Sequence, residues 1–128
     1  QGIGVPYYVL KANDETLITI IIEDIVAINN LPEILEVDHI DAFFVAPGDL
    51  AQSIGHTGDI NHPDVVKIRD QAIKDIVKAG RVAGTLVNDS NIDHYVDLGA
   101  RFLSVSWTPW LLLGAQGYLD KVHAAVSR

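Results

Sequence analysis

The chain has 128 residues, 48% of them hydrophobic, which is enough apolar surface for one buried core but too little length for two domains. A net charge of -8, with only nine scattered Lys and Arg side chains, argues against a nucleic-acid or anionic-membrane partner. The absence of cysteine excludes disulfides and thiolate chemistry and is compatible with the cytoplasm, where we expect the protein to act.

The first residues carry little functional information. The chain begins at Gln1 and contains no methionine, so we expect a fragment or a processed piece. Gly2 and Gly4 do not form a dinucleotide-binding fingerprint, because no strand precedes them and no third glycine follows, and an irregular lead-in is expected there. A short helix is predicted from Tyr7 to Ala12, ending near Asn13.

The first predicted strand is the β-branched run from Leu17 to Ile22, which ends directly at Glu23. At six residues it is far too short to span a bilayer. A short helix is predicted from Asp24 to Asn30, because Pro32 disfavours helix in the residue before it. Pro32 can open one further helical turn, over residues 32–35.

The second predicted strand, from Ile40 to Ala46, runs into Pro47, Gly48 and Asp49. A short helix is expected from Gly48 to Ile54. The N–H groups of Gly48 and Asp49 at its start have no partner within the helix and could hold an anion such as a carboxylate.

Glu23 and Asp49 thus follow two consecutive strands. If the strands are parallel, both carboxylates lie at one edge of the sheet, where ligands bind in such folds. Two carboxylates suit a hard divalent cation with open positions for substrate and water. The alternative is that each acid only stabilises the first turn of the helix that follows it.

The segment from Gly55 to Asn61 is rich in turn residues and is expected to be a surface loop at the functional face. His56 in this loop is a candidate catalytic residue. The alternative is a histidine that is merely solvated.

The longest regular pattern predicts a helix from Pro63 to Ala79, closed by Gly80. One stripe at helical spacing is apolar and should face the core: Val65, Ile68, Ala72, Ile73, Ile76 and Val77. The charged residues should face solvent: Lys67, Arg69, Asp70, Lys74, Asp75 and Lys78.

A third strand is predicted from Val82 to Val87. Residues 90–93, Ser-Asn-Ile-Asp, match a capping box in which Ser90 and Asp93 open a helix that runs to Leu98. Gly99 then ends that helix.

The fourth predicted strand runs from Arg101 to Ser106, and Thr108 is the expected N-cap of a final helix from Pro109 to about Ala125. Trp107 and Trp110 lie at this junction. They either wall a pocket or are packed between helix and sheet.

Four strand-helix units without hairpins predict an α/β fold, either an open doubly wound sheet or part of a (β/α)8 barrel. Four units are half of what a closed barrel needs. A four-stranded parallel sheet also leaves two unpaired edges. We therefore expect that a missing half completes the sheet or that two copies associate.

These motifs together resemble the C-terminal half of the HpcH/HpaI class II pyruvate aldolase family, which includes 4-hydroxy-2-oxoheptanedioate aldolase and aldolases of 2-keto-3-deoxy sugar acids. The most specific part is residues 47–50, Pro-Gly-Asp-Leu, with Glu23 one unit upstream. The other matching positions are Asn30, residues 32–35, residues 40–46, Ala51, Gly55, His62, Pro63, Ala83, Gly84 and residues 98–102.

The resemblance implies that the chain is a single partial domain, residues 1–128, forming the second half of a (β/α)8 barrel. It implies a divalent ion, Mg²⁺, Mn²⁺ or similar, held by Glu23 and Asp49. A small 2-oxo acid would chelate that ion, while the N–H groups of Gly48 and Asp49 hold its carboxylate. The implied reaction is reversible cleavage of a 4-hydroxy-2-oxo acid into pyruvate and an aldehyde, without a Schiff-base lysine.

Departures from the family pattern also matter. The family usually has Gly-Pro-Ala-Asp where this chain has residues 46–49, Ala-Pro-Gly-Asp, and Ile21 replaces a glutamine common two residues before the metal-binding glutamate. The family's basic histidine and keto-polarising arginine belong to the N-terminal half, so this chain alone should bind metal poorly and catalyse little. Apart from the candidate His56, we assign no catalytic residue in this half.

The family's members are oligomers in which the last helices contact neighbouring subunits, so a homo-oligomer, or pairing with the missing half-barrel, is expected. Two other functions stay open at this point. One is a non-catalytic, self-associating half-barrel. The other is a related lyase that acts on CoA thioesters or phosphoenolpyruvate-like acids.

Overall fold

The computed structural model describes residues 5–127, so the lead-in at Gly2 and Gly4 lies outside the described residues. Helices and strands alternate in the predicted order, with ends that differ by a few residues from the predicted ones. The elements are α1 Val5–Glu15, β1 Thr19–Ile22, α2 Ile25–Asn29, α3 Leu31–Leu35, β2 Ala42–Val45, α4 Pro47–Ser53, α5 Pro63–Lys78, β3 Ala83–Val87, α6 Ile92–Asp97, β4 Phe102–Val105 and α7 Thr108–Val126.

The strands form one sheet in the order β1-β2-β3-β4, and every neighbouring pair is parallel. Ile22 at the end of β1 is level with Val45 near the end of β2. Because each connection returns through helices, the C-terminal ends of all four strands lie at one edge. This confirms the predicted α/β fold of four parallel strands with helices.

The core lies between the sheet and α5. Alternate residues of β2, Phe43 and Val45, are fully buried. Ile73 and Ile76 of α5 pack in the same cluster. The remaining buried members are Ile22, Leu31, Leu50, Ala72, Ala83, Val87, Tyr95 and Ala100. The predicted apolar stripe of α5 therefore faces the sheet as expected.

On the other face of the sheet, Phe44, Gly84 and Phe102 are aligned across β2, β3 and β4. The rings of Phe44 and Phe102 meet edge to face, with their centroids 6.2 Å apart. A Cβ atom at position 84 would lie only 2.5 Å from the carbonyl oxygen of Phe102. Glycine at this position thus allows the aromatic rings to close over β3.

The prediction that Arg69 faces solvent is wrong. Arg69 is only 2% exposed, and its guanidinium carbon lies 4.3 Å from the ring centroid of Tyr95 in α6. Burial lowers the pKa of Arg69, and the charge of neighbouring Asp70 partly offsets this effect. Asp70 in turn lies 2.8 Å from Nε2 of His94. The packing of α6 on α5 therefore buries Arg69, which the helical pattern had predicted to be exposed to solvent.

Both predicted side-chain caps are also corrected. The N-cap of α6 is Asn91 and not Ser90, and the side chain of Asn91 makes no capping hydrogen bond to the helix. The hydroxyl and N–H of Ser90 instead donate to the side-chain oxygen of Asn88, at 2.6 and 2.9 Å, and form a turn. Thr108 is the first residue of α7 and not its N-cap.

The last strand and helix are much less covered than the rest. All four residues of β4 are exposed, and α7, 19 residues long, has no buried residue. The apolar residues exposed on α7 include Leu111, Leu112, Leu113, Leu119 and Val126. In the described part of the chain, no helix combines the length and the apolar character required to cross a membrane.

Candidate active site

The candidate site lies at the C-terminal edge of β1 and β2. Glu23 directly follows β1, and the N–H of Ala46 donates to the carbonyl of Ile22 at 3.0 Å. This bond extends the pairing of the two strands as far as the residue that precedes α4. Glu23 and the start of α4 are therefore neighbours at one edge, as the sequence predicted for parallel strands.

The way α4 packs determines where Asp49 lies. Ala46 is extended, and Pro47 begins the helix, consistent with proline's preference for the first turn. Pro47, Leu50 and Ala51 are buried, whereas Gly48 and Asp49 are exposed. One side of α4 is thus anchored in the core, and the other presents Asp49 in the first helical turn.

The acid that caps α2 is Asp24 and not Glu23, the residue that the sequence analysis considered. Oδ1 of Asp24, not Glu23, accepts a hydrogen bond of 2.7 Å from the N–H of Ala27 and so caps α2. Glu23 is half-buried beside this cap. Asp49 does lie in the first turn of α4, where a negative charge is favourable. The capping alternative is therefore wrong for Glu23 and stays open for Asp49.

Neither carboxylate of the pair is neutralised locally. The ion pairs found among residues 5–127 join histidines to Asp64 or Asp70 and include neither Glu23 nor Asp49. Glu23 after β1 and Asp49 in the first turn of α4 both offer hard oxygen donors, the kind that Mg²⁺ or Mn²⁺ prefers.

The start of α4 also presents backbone donors. Pro47 has no N–H, and the first backbone bond of the helix is donated by Leu50 to Ala46, at 3.3 Å. The N–H groups of Gly48 and Asp49 fall between these positions and precede the first intrahelical donor. They therefore point out of the helix at the edge that carries the two acids.

Trp107 lies further away in the sheet. It follows β4, which is three strands from β1, or about 14 Å at the usual strand spacing. Trp107 is 63% exposed and Trp110 is 55% exposed, so the alternative of tryptophans packed between helix and sheet is wrong. Trp110 lines a shallow pocket between the ends of β3 and β4, with Val87, Asn88, Asp89, Ser90, Val105, Ser106 and Pro109.

His56 has neighbours that the sequence analysis did not identify. Its ring is stacked on that of His62, with centroids 3.5 Å apart, and its Nε2 lies 3.5 Å from Oδ2 of Asp64. His62 and Asp64 flank Pro63, the first residue of α5. The sequence did contain a signal for this contact. His62 lies at the end of the loop, just before Pro63, and His56 lies near the start of the same loop.

The geometry can be compared with known proteins. The family model described as HpcH/HpaI aldolase/citrate lyase matches residues 1–113. A protein of Shigella sonnei named 4-hydroxy-2-oxo-heptane-1,7-dioate aldolase is 38% identical over 112 residues, covering 87% of this chain and 43% of that protein. A protein of the same name from Klebsiella pneumoniae is 39% identical over 109 residues, covering 84% of this chain and 41% of that protein.

Solved structures agree with this match. A HpcH/HpaI aldolase/citrate lyase family protein from Burkholderia cenocepacia superimposes with a TM-score of 0.80 at 26% identity. The match covers 96% of this chain and 52% of that structure. The chain therefore spans less than half the length of the curated relatives it matches, and about half of that solved barrel chain.

Proposed function

Because the chain belongs to the HpcH/HpaI aldolase/citrate lyase family, we propose that it provides the metal-binding half of a class II pyruvate aldolase. The proposed reaction is reversible cleavage of a 4-hydroxy-2-oxo acid into pyruvate and an aldehyde. The single observation that supports the proposal is that Glu23 directly follows β1, while Asp49 lies in the first turn of α4, the helix that follows the adjacent parallel strand β2.

Glu23 and Asp49 would hold the divalent ion, Mg²⁺ or Mn²⁺. When bound, such an ion acts as a Lewis acid on the C2 oxygen of the 2-oxo acid, where negative charge develops as the C3–C4 bond breaks. The half-buried position of Glu23 favours this role, since a carboxylate with little water around it interacts more strongly with a cation.

The chain's own backbone would orient the substrate. We assign the N–H groups of Gly48 and Asp49 to the substrate carboxylate, because they precede the first intrahelical donor of α4. Trp107 is proposed as a pocket wall near the end of β4. The proton on the substrate's C4 hydroxyl must pass to a base, and we expect that base in the other half of the barrel.

The test is a thermal melt with Mn²⁺ and pyruvate, added separately and together. We expect Mn²⁺ and pyruvate together to raise the melting temperature by more than the sum of the two increases that each causes alone, because a 2-oxo acid can chelate an ion that the protein holds. At ten times the dissociation constant, the stabilisation is about 1.4 kcal/mol. This corresponds to a shift of roughly 4 °C for a chain of this size.

Acetate is the matched control ligand, since it has the carboxylate of pyruvate but no keto oxygen. If Mn²⁺ with pyruvate has no greater effect than Mn²⁺ with acetate, the aldolase proposal loses its support. A non-catalytic half-barrel would then be the better interpretation.

We also propose that the chain is oligomeric or pairs with the other half-barrel, because β4 and α7 expose many large apolar side chains. Light scattering of the 128-residue chain should give a mass of at least two copies. Leu112→Lys and Leu113→Lys together should lower that mass, whereas Lys121→Glu on the same helix should not. A cooperatively folded monomer of the unmodified chain would contradict this proposal.

A further inference from the structure

A second group of potential metal ligands lies at the junction between the α4–α5 loop and α5. From the contacts of His56, His62 and Asp64, we infer that these three residues bind a first-row transition ion, such as Zn²⁺, separately from Glu23 and Asp49. This inference does not depend on the proposed aldolase activity.

The distances among the three residues are close to those of a metal site. Oδ2 of Asp64 lies 3.5 Å from Nε2 of His56 and 3.7 Å from Nδ1 of His62. One ligand atom from each residue can be chosen so that all three lie within 4.8 Å of one another. Two ligands of a tetrahedral zinc ion, each about 2 Å from it, are about 3.3 Å apart. Small side-chain rotations would therefore complete the site.

The loop holds both histidines in place through its backbone. The N–H of His56 donates to the carbonyl of Ala51 at 2.8 Å, and that of His62 donates to Asp59 at 3.2 Å. Gly55, just before His56, and Gly58, between the two histidines, have φ of 86° and 82°, conformations that few other residues adopt, and they turn the chain at these points. Since the backbone is already ordered, binding would cost mainly side-chain freedom.

The donor set favours a particular class of ion. Two imidazole nitrogens and one carboxylate oxygen suit Zn²⁺, Co²⁺, Ni²⁺ or Cu²⁺, whereas Mg²⁺ prefers oxygen donors alone. The side chains of His56 and His62 are 29% and 32% exposed, so an ion can reach them from solvent. Three protein ligands would leave at least one position for water.

Binding has two identifiable costs. The N–H of Asp64 now donates to Nδ1 of His62 at 3.2 Å, and an ion at this nitrogen would replace that bond. The two rings are stacked 15° from parallel, so one of them must turn before a single ion can lie near the planes of both. Lys67 lines the adjacent pocket and its charge opposes a cation. We therefore expect moderate affinity and not the very tight binding of a four-ligand structural site.

An ion between the α4–α5 loop and α5 would affect the stability of the folded chain. An ion held by His56 and Asp64 would join the loop to the first turn of α5 and stabilise the folded chain. Asp49 lies in the first turn of α4, and His56 follows the other end of that helix, which extends about 6 Å beyond Asp49. The two sites are thus distinct in both position and donor chemistry.

The experiment uses Co²⁺, whose visible absorption reports coordination, and calorimetry with Zn²⁺. It is performed on the chain carrying Glu23→Gln and Asp49→Asn, which removes the other proposed site. We expect one equivalent to bind with an absorption band that indicates nitrogen ligands. His56→Phe keeps a flat ring against His62 but removes both nitrogens, and it should weaken Zn²⁺ binding at least about 10-fold.

Two further variants complete the test. His62→Asn keeps a good N-cap for α5 and should weaken binding similarly, which separates loss of a ligand from loss of the cap. His94→Phe is the matched control, because His94 pairs with Asp70 alone, and it should change the affinity less than 2-fold. If no equivalent of Co²⁺ binds, or if His56→Phe and His62→Asn bind as tightly as their parent, the inference is overturned.

Discussion

Replacing Glu23 with glutamine is expected to raise the dissociation constant for Mn²⁺ at least about 100-fold, because changes even to groups that only support metal ligands cost 10–100-fold. Glutamine keeps the size of the side chain but removes the charge of a half-buried group at the end of β1. Only one carboxylate of the proposed pair would then remain, that of Asp49. The signal of unbound Mn²⁺ in electron paramagnetic resonance measures the change.

The adjacent residue provides a matched control. Asp24→Asn changes the net charge by the same amount one residue away, and asparagine caps a helix as well as aspartate does. Since Asp24 is engaged with the N–H of Ala27, its replacement should leave Mn²⁺ binding almost unchanged. Equal weakening by both variants would mean that Mn²⁺ senses only the overall negative charge, and the proposed site would be wrong.

Arg81→Met is expected to lower the free energy of unfolding by about 3 kcal/mol, since hydrogen bonds from charged groups contribute about 1.5–3 kcal/mol each and are not additive. The guanidinium of Arg81 donates to the carbonyls of Leu35, Val37 and Ile40, the last two at 3.0 Å each. It also lies 4.6 Å from the ring centroid of Phe43. Arg81 thereby ties the connection between α3 and β2 to the residues just before β3.

Urea denaturation measures this effect, and two variants calibrate it. Arg81→Lys keeps the charge but cannot reach three carbonyls in the same way, so an intermediate loss is expected. Arg101→Met removes an exposed guanidinium that donates to the nearby carbonyls of Val96 and Ala100, and should cost less than about 1 kcal/mol. If Arg81→Met and Arg101→Met are equally stable, the three-carbonyl contact contributes little.

Several features of the fold followed from local patterns. The β-branched runs predicted the strands, and the proline at position 63 predicted the start of α5. The absence of hairpin turns predicted a parallel sheet, which places Glu23 and the start of α4 at one edge. These features depend on residues that are close in the sequence, so they can be predicted from local sequence patterns.

The failed predictions concern side chains whose surroundings differ from those that the helical pattern implied. Arg69 lies on the side of α5 that the charge pattern assigned to water, but α6 covers it and Tyr95 stacks on it. Ser90 satisfies a capping-box pattern, yet the side chain of Asn88 takes its hydrogen bonds. In both cases another side chain makes a contact that the helical pattern did not predict.

By itself, the sequence determined the kinds of elements, their parallel arrangement and the position of Glu23 and the start of α4 at one edge, because backbone preference and hydrophobic periodicity act over a few residues. Only the tertiary structure decided that His56 meets His62 and Asp64, and that α7 has no buried residue. Each of these depends on contacts that close loops or fill space between elements, and such contacts are set by the packing of the whole sheet and not by any one segment.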